Sequence, residues 1–193
     1  AIAAGEPMNV VVPTGNFGNI LAAYFAKQMG LPIQKLIIAS NENKVLVDFF
    51  DTGAYDRNRD FILTTSPSMD ILVSSNLERL LYLMADESTE AVQTFMDQLK
   101  EIGRYEVTEA MKEKAKDFYA DYATEEEVAA QIAALYHADG YVIDPHTAVA
   151  AHVANTYVAE TDDHTPIIIA STASPYKFPQ AVLTAIDPEI SDD

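Results

Sequence analysis

A formal charge of −18, from 30 acidic against 12 basic side chains in 193 residues, excludes the basic footprint that nucleic acids and anionic membranes demand. With 49% hydrophobic and 22% charged residues, the chain has the composition of one globular domain with a sizeable core, or of two small ones. The absence of cysteine rules out disulfides, thiolate metal sites and cysteine nucleophiles and fits a reducing compartment such as the cytoplasm; no apolar run approaches the roughly 20 residues that span a bilayer.

The first seven residues carry neither an initiator Met nor the basic run of a signal peptide, and they lead straight into a buried-type strand. The chain is therefore expected to be a fragment of something longer. Two βα units follow. Residues 8–13, apolar and β-branched, read as a strand buried on both faces. A Gly- and Asn-rich turn comes next, then a helix whose stripe is Ile20, Leu21, Tyr24, Phe25 and Met29, stopped by Gly30 and Pro32. Residues 35–39 form the second strand. Residues 41–43 are expected to cap a helix carrying Val45, Leu46, Phe49 and Phe50, ended by Gly53. Strand and helix alternating through short loops imply a parallel sheet flanked by helices, an α/β three-layer fold.

The middle of the chain reads differently. Residues 55–75 are polar and turn-rich, and a loop that long in a compact domain is usually functional or disordered. Three or four helices are expected after it. Asn76 can cap one, Ser88 or Thr89 the next and Thr108 a third, and Thr124 with Glu127 forms a capping box ahead of Val128, Ile132 and Leu135. Asp144 and Pro145 read as N-cap and first-turn proline of a helix with Val149, Val153 and Tyr157. Residues 166–170 are expected as a last buried strand, 171–177 as a turn, and Phe178, Val182 and Leu183 as the face of a final helix. Acidic residues crowd 86–139 and the tail 187–193, which leaves room for a neutral or mildly polar cleft elsewhere.

Chemistry concentrates in few places. Between a strand and a helix, Gly15, Asn16, Phe17, Gly18 and Asn19 can present successive backbone N–H groups to an anion, with asparagine side chains as further donors. The third glycine of a dinucleotide fingerprint and the Lys-Ser/Thr pair of a Walker A loop are both absent. A tight turn that needs glycine for geometry alone remains the alternative. Thr172, in the run 171–174 at the carboxyl end of a strand, stands where open α/β sheets place ligands, with helix capping as the plainer reading. The stretches 66–70 and 74–76 could line a cleft, again with capping and turn roles as the simpler account. The four histidines, at 137, 146, 152 and 164, show no metal-ligand spacing.

Taken together and in order, PTGNFGN at 13–19, GLPI at 30–33, ASNEN at 39–43, FFDTG at 49–53, SPSMD at 66–70, SSNLER at 74–79, DPHTAV at 144–149 and TASPYKF at 172–178 resemble threonine synthases of the bacterial and fungal type. That family belongs to the tryptophan-synthase-like group of pyridoxal 5′-phosphate (PLP) enzymes and converts O-phospho-L-homoserine and water to L-threonine and phosphate. The resemblance implies that Gly15, Asn16, Phe17, Gly18 and Asn19 bind the cofactor phosphate, Phe17 mainly through its backbone, and that Thr172 sits against the pyridine nitrogen. Asp144 and His146 match a stretch near the active site without an assigned role. The lysine that forms the family's Schiff base lies in an earlier segment, which nothing here matches. Residues 1–193 would thus be one partial large domain, without that lysine or the small domain, inactive alone, and inclined to self-associate through an uncovered sheet edge. The rival readings are a non-catalytic phosphate-ligand module and another PLP elimination or replacement enzyme such as threonine dehydratase.

Overall fold

The computed structural model describes residues 2, 3 and 5–189, so the last four positions of the acidic tail lie outside the described residues. At its centre β1 (Met8–Pro13) pairs in parallel with β2 (Ile33–Ser40). A strand not anticipated from the sequence, β5 (Phe118–Tyr122), lies on the far side of β2, and β6 (Ile167–Ile169) lies on the far side of β1. The sheet order is β5-β2-β1-β6 with every pairing parallel.

Alternate residues of the central strands feed two cores. Val12, Leu36 and Ile38 face α1 (Gly18–Gln28) and α2 (Val45–Thr52), whereas Val11, Ile37 and Ala39 face α6 (Glu125–Asp139), α7 (Pro145–Thr161) and α8 (Pro179–Ile186). The expected three-layer α/β arrangement is therefore what these residues adopt, and burial on both faces explains why β1 and β2 read as nearly unbroken apolar runs. Helix α7 is buried over most of its circumference, and Ala148, Ala150, Ala151 and Ala154 keep it slim enough to lie against the sheet.

The remaining elements pack beside the first core. α3 (Leu77–Met84), α4 (Thr89–Glu101) and α5 (Glu109–Lys114) cover it, and β3 (Ala54–Asp56) pairs antiparallel with β4 (Arg104–Glu106). Ser88, Thr108 and Thr124 cap their helices as expected, and Thr124 with Glu127 completes both halves of the capping box.

Four expectations are corrected. The region after 76 holds β4 and β5 as well as helices; each is short and offers one fully buried side chain, Tyr105 or Phe118, so neither gives an apolar run. β6 is an edge strand, with Ile168 44% exposed, because no strand lies outside it among the described residues. Residues 41–43 do not cap α2, whose N-cap is Lys44 without a side-chain bond; the asparagine amides are engaged elsewhere. Asn76 precedes α3 without a side-chain cap and donates instead to the glycine-rich turn.

Candidate functional site

The turn between β1 and α1 is shaped by residues packed beneath it. Phe17 adopts φ 62 and ψ 16, a left-handed conformation that costs a non-glycine residue energy. Its ring is 1% exposed and stacks on Phe50 at 6.0 Å, with Phe118 at 6.1 Å, so core burial holds the backbone there. The side chain thus packs into the core, and Phe17 still borders the cavity beside it.

The two glycines answer different demands. A Cβ on Gly15 would lie 2.5 Å from the Ser68 carbonyl oxygen, so a neighbouring backbone occupies its place. A Cβ on Gly18 would meet only the Asn76 amide nitrogen at 3.8 Å, an ordinary contact, and Gly18 has no positive φ. Neither packing nor backbone geometry requires glycine at 18.

Donors from the segment 74–76 fix the turn's orientation. Ser74 Oγ donates to the Gly15 carbonyl at 2.8 Å. The Asn76 backbone N–H and Nδ2 donate to the Asn16 carbonyl at 3.2 and 2.7 Å. In a trans peptide the N–H opposes its C=O, so holding these carbonyls on one side aims the Asn16 and Phe17 N–H groups to the other. The first N–H groups of α1 add to them, with no side-chain cap on the helix. Among the described residues, no N–H from 15 to 20 meets an acceptor.

Facing this cradle is the turn at 66–69, held by a dense polar cluster. Asn41 Nδ2 donates to Asp70 Oδ1 at 2.8 Å and to Ser66 Oγ at 3.0 Å, and Asn43 Nδ2 donates to the same Asp70 oxygen at 2.9 Å. Thr64 donates to both Asp70 oxygens, from Oγ1 at 2.7 Å and from its N–H at 3.0 Å. Tyr55, stacked on Tyr105 at 5.3 Å, donates its hydroxyl to the Leu72 carbonyl and accepts the Ser74 N–H at 2.8 Å, which steadies the donor segment.

Behind the turn lies a buried pair on α7. The Asp144 carboxylate accepts the backbone N–H of His146 at 2.9 Å, the Thr147 N–H, the Thr147 hydroxyl, and the imidazole Nδ1 at 3.0 Å. Burial opposes its ionisation, but these donors outweigh burial and hold its pKa below the ordinary carboxylate value. His146 Nε2 faces the Ser68 backbone N–H at 3.3 Å. An N–H can only donate, so Nε2 accepts and Nδ1 carries the proton; this tautomer is assigned from the partners.

These elements enclose a cavity of about 300 Å³. Gly15, Asn16, Phe17, Gly18, Asn19 and Thr172 all line it, so the six residues expected from the sequence come together at one place. Ser68, Met69, Asn76, His146 and Ala173 join them. Ser68, Met69 and Asn76 lie in stretches read as cleft candidates, and Ala173 in the run 171–174 beside Thr172. No side-chain cap forms from Ser174, the last residue before the turn Pro175–Lys177. Lys177, the lysine nearest the site by sequence, does not line the cavity, and neither does any other lysine among the described residues. Two larger grooves, of about 550 and 560 Å³, are mainly apolar and include no residue of the cradle. The cavity thus combines N–H groups that meet no acceptor among the described residues with a neutral hydroxyl at Thr172.

The family described as "Threonine synthase, C-terminal" matches residues 147–192. Over 187 residues the chain is 48% identical to the human protein named threonine synthase-like 1, covering 96% of this chain and 25% of that protein. It is 42% identical to threonine synthase of Saccharomyces cerevisiae, covering 94% of this chain and 38% of that one. The crystal structure of a PLP-bound threonine synthase from Brucella melitensis superposes with a TM-score of 0.88 at 42% identity, over 95% of this chain and 39% of that one. The chain thus spans between a quarter and two fifths of the length of these relatives. Over nearly its whole length, it is similar in sequence and in α/β fold to one part of the threonine synthases.

Proposed function

We propose that this chain forms the phosphate-holding and ring-contacting part of a PLP-dependent threonine synthase, a lyase that turns O-phospho-L-homoserine and water into L-threonine and phosphate. The observation that carries the reading is Gly18, a residue whose missing Cβ serves nothing in the protein, beside N–H groups that meet no acceptor. A phosphate fits both facts, since it needs close approach to the backbone and several donors. The names of the relatives and the PLP-bound neighbour support the choice of cofactor and reaction.

In this reading Gly15, Asn16, Gly18 and Asn19 bind the cofactor phosphate, and Phe17 contributes its backbone from a buried ring. Thr172 offers the pyridine nitrogen a neutral hydroxyl in place of a carboxylate, which leaves the ring uncharged at that atom. PLP, when bound, withdraws electrons from the substrate's carbon chain so that phosphate can leave and water can enter. The lysine that holds the cofactor and moves protons comes from another part of the full-length protein, as does much of the substrate site. By itself the chain turns over no substrate. Its lack of cysteine suits work in the cytoplasm.

The test is to assay the full-length protein with O-phosphohomoserine, following phosphate and threonine, beside Asn16→Ala and Thr172→Ala. Loss of cofactor affinity and turnover in both variants is expected. If both keep wild-type values, the site assignment is wrong. Deamination of threonine without synthesis would indicate a dehydratase, and phosphate-ligand binding without any turnover would indicate a binding module.

A further inference from the structure

The Asp144–His146 pair takes no part in the roles above, yet it is among the most deeply buried polar groups in the protein, at 1% and 2% exposure, and His146 borders the cavity. We infer that His146 is a positioning residue for this cavity: locked by Asp144 with its proton on Nδ1, it uses Nε2 to hold the Ser68 N–H and so sets the turn at 66–69 opposite Gly15.

The geometry of Ser68 makes the imidazole's role specific. The Ser68 carbonyl occupies the place of a Gly15 side chain, and its N–H is the group that His146 takes. One residue thus joins the cradle after β1 to the buried pair at the start of α7, and it is itself exposed and borders the cavity. The Phe178 ring packs against the imidazole at 5.0 Å, and the charged group in contact with it is Asp144, at 3.0 Å. With four donors converging on it, the carboxylate is a fixed acceptor, so the imidazole cannot present its N–H there and at Ser68 at once. An unfixed tautomer would set N–H against N–H at Ser68 and push the turn off Gly15. The cavity would then lose the wall formed by Ser68 and Met69. The inference rests on the reading of the cavity as a phosphate-and-ring site, but its geometric part stands without any ligand.

The experiment uses the full-length protein labelled with ¹⁵N. Without ligand, the imidazole shifts of His146 should show a protonated Nδ1 and an unprotonated Nε2; the opposite tautomer would overturn the inference. In His146→Ala the Ser68 amide should lose its downfield position and its protection from exchange, and affinity for PLP should fall by about threefold to tenfold, the worth of one such bond. His146→Gln, whose amide oxygen can accept the Ser68 N–H, should restore both signals to near wild type. An unshifted Ser68 amide in the alanine variant, or no recovery in the glutamine variant, would sink the positioning role. Should the alanine variant fail to fold, the wild-type tautomer and the glutamine variant decide the matter. Should the wild-type protein bind neither PLP nor inorganic phosphate, the functional reading fails while the tautomer and the Ser68 amide still test His146.

Discussion

Ser74 Oγ donates to the carbonyl of Gly15 at 2.8 Å across 59 residues of sequence, and this bond aims the glycine-rich turn. Ser74→Ala should cost about 1 kcal/mol of stability, the net value of one hydrogen bond. It should weaken phosphate binding as well, because the freed carbonyl lets the Asn16 N–H swing away. Urea denaturation and calorimetric titration with PLP would read the two effects, and an unchanged affinity would remove this bond from the account of the site.

The two cradle glycines should separate stability from binding. Gly15→Ala drives a methyl into the Ser68 carbonyl and should destabilise the fold by about 1–3 kcal/mol through forced repacking. Gly18→Ala has room and a helical setting, so stability should hold or rise by roughly 0.5 kcal/mol while phosphate affinity collapses. Thermal melts beside binding isotherms distinguish the pair. Equal binding losses with equal melting losses would indicate that both glycines serve packing alone.

Acid should unfold this protein partly through Asp144. Its folded pKa lies below the ordinary carboxylate value of 3.8, so its contribution is fully present above that value and is lost as pH falls through the folded one. Asp163, which accepts from Asn9, Tyr157 and the Thr165 N–H, is shifted the same way. Denaturant midpoints measured from pH 7 down to pH 2 should drop steeply below pH 4. In Asp144→Asn that slope should flatten, with about 1–2 kcal/mol lost at neutral pH from the weakened cap and its neighbours. A wild-type slope in the variant would assign the acid sensitivity elsewhere.

Because no lysine lines the cavity among the described residues, borohydride reduction of the chain mixed with PLP should fix cofactor at no single lysine. Mass spectrometry of the digested product would check this. Stoichiometric labelling of one lysine, Lys177 included, would contradict the half-site reading.

Much of this arrangement is written locally in the sequence. β1 and β2 announce themselves by apolar runs because both their faces are covered, and the helix caps at Ser88, Thr108, Thr124 and Asp144 act within three residues of themselves. That Gly15, Asn16, Phe17, Gly18 and Asn19 belong together was legible because their spacing and their setting between strand and helix are local too. What escaped depends on distant partners. β5 was hidden because a five-residue edge strand needs β2 to exist. Asn41 and Asn43 resembled helix caps, since nothing nearby reveals that Asp70 will claim their amides. Nothing near His146 in sequence assigns it a role, because Ser68, which meets its Nε2, lies 78 residues away.

The polar cluster of Asn41, Asn43, Thr64, Ser66 and Asp70 fixes a segment that its composition alone would leave loose. The entropy of ordering that segment is therefore spent when the chain folds, before any ligand arrives. Entry of a phosphate ligand should then involve little backbone rearrangement, with association limited by encounter and affinity differences among cradle variants expressed mainly as faster release.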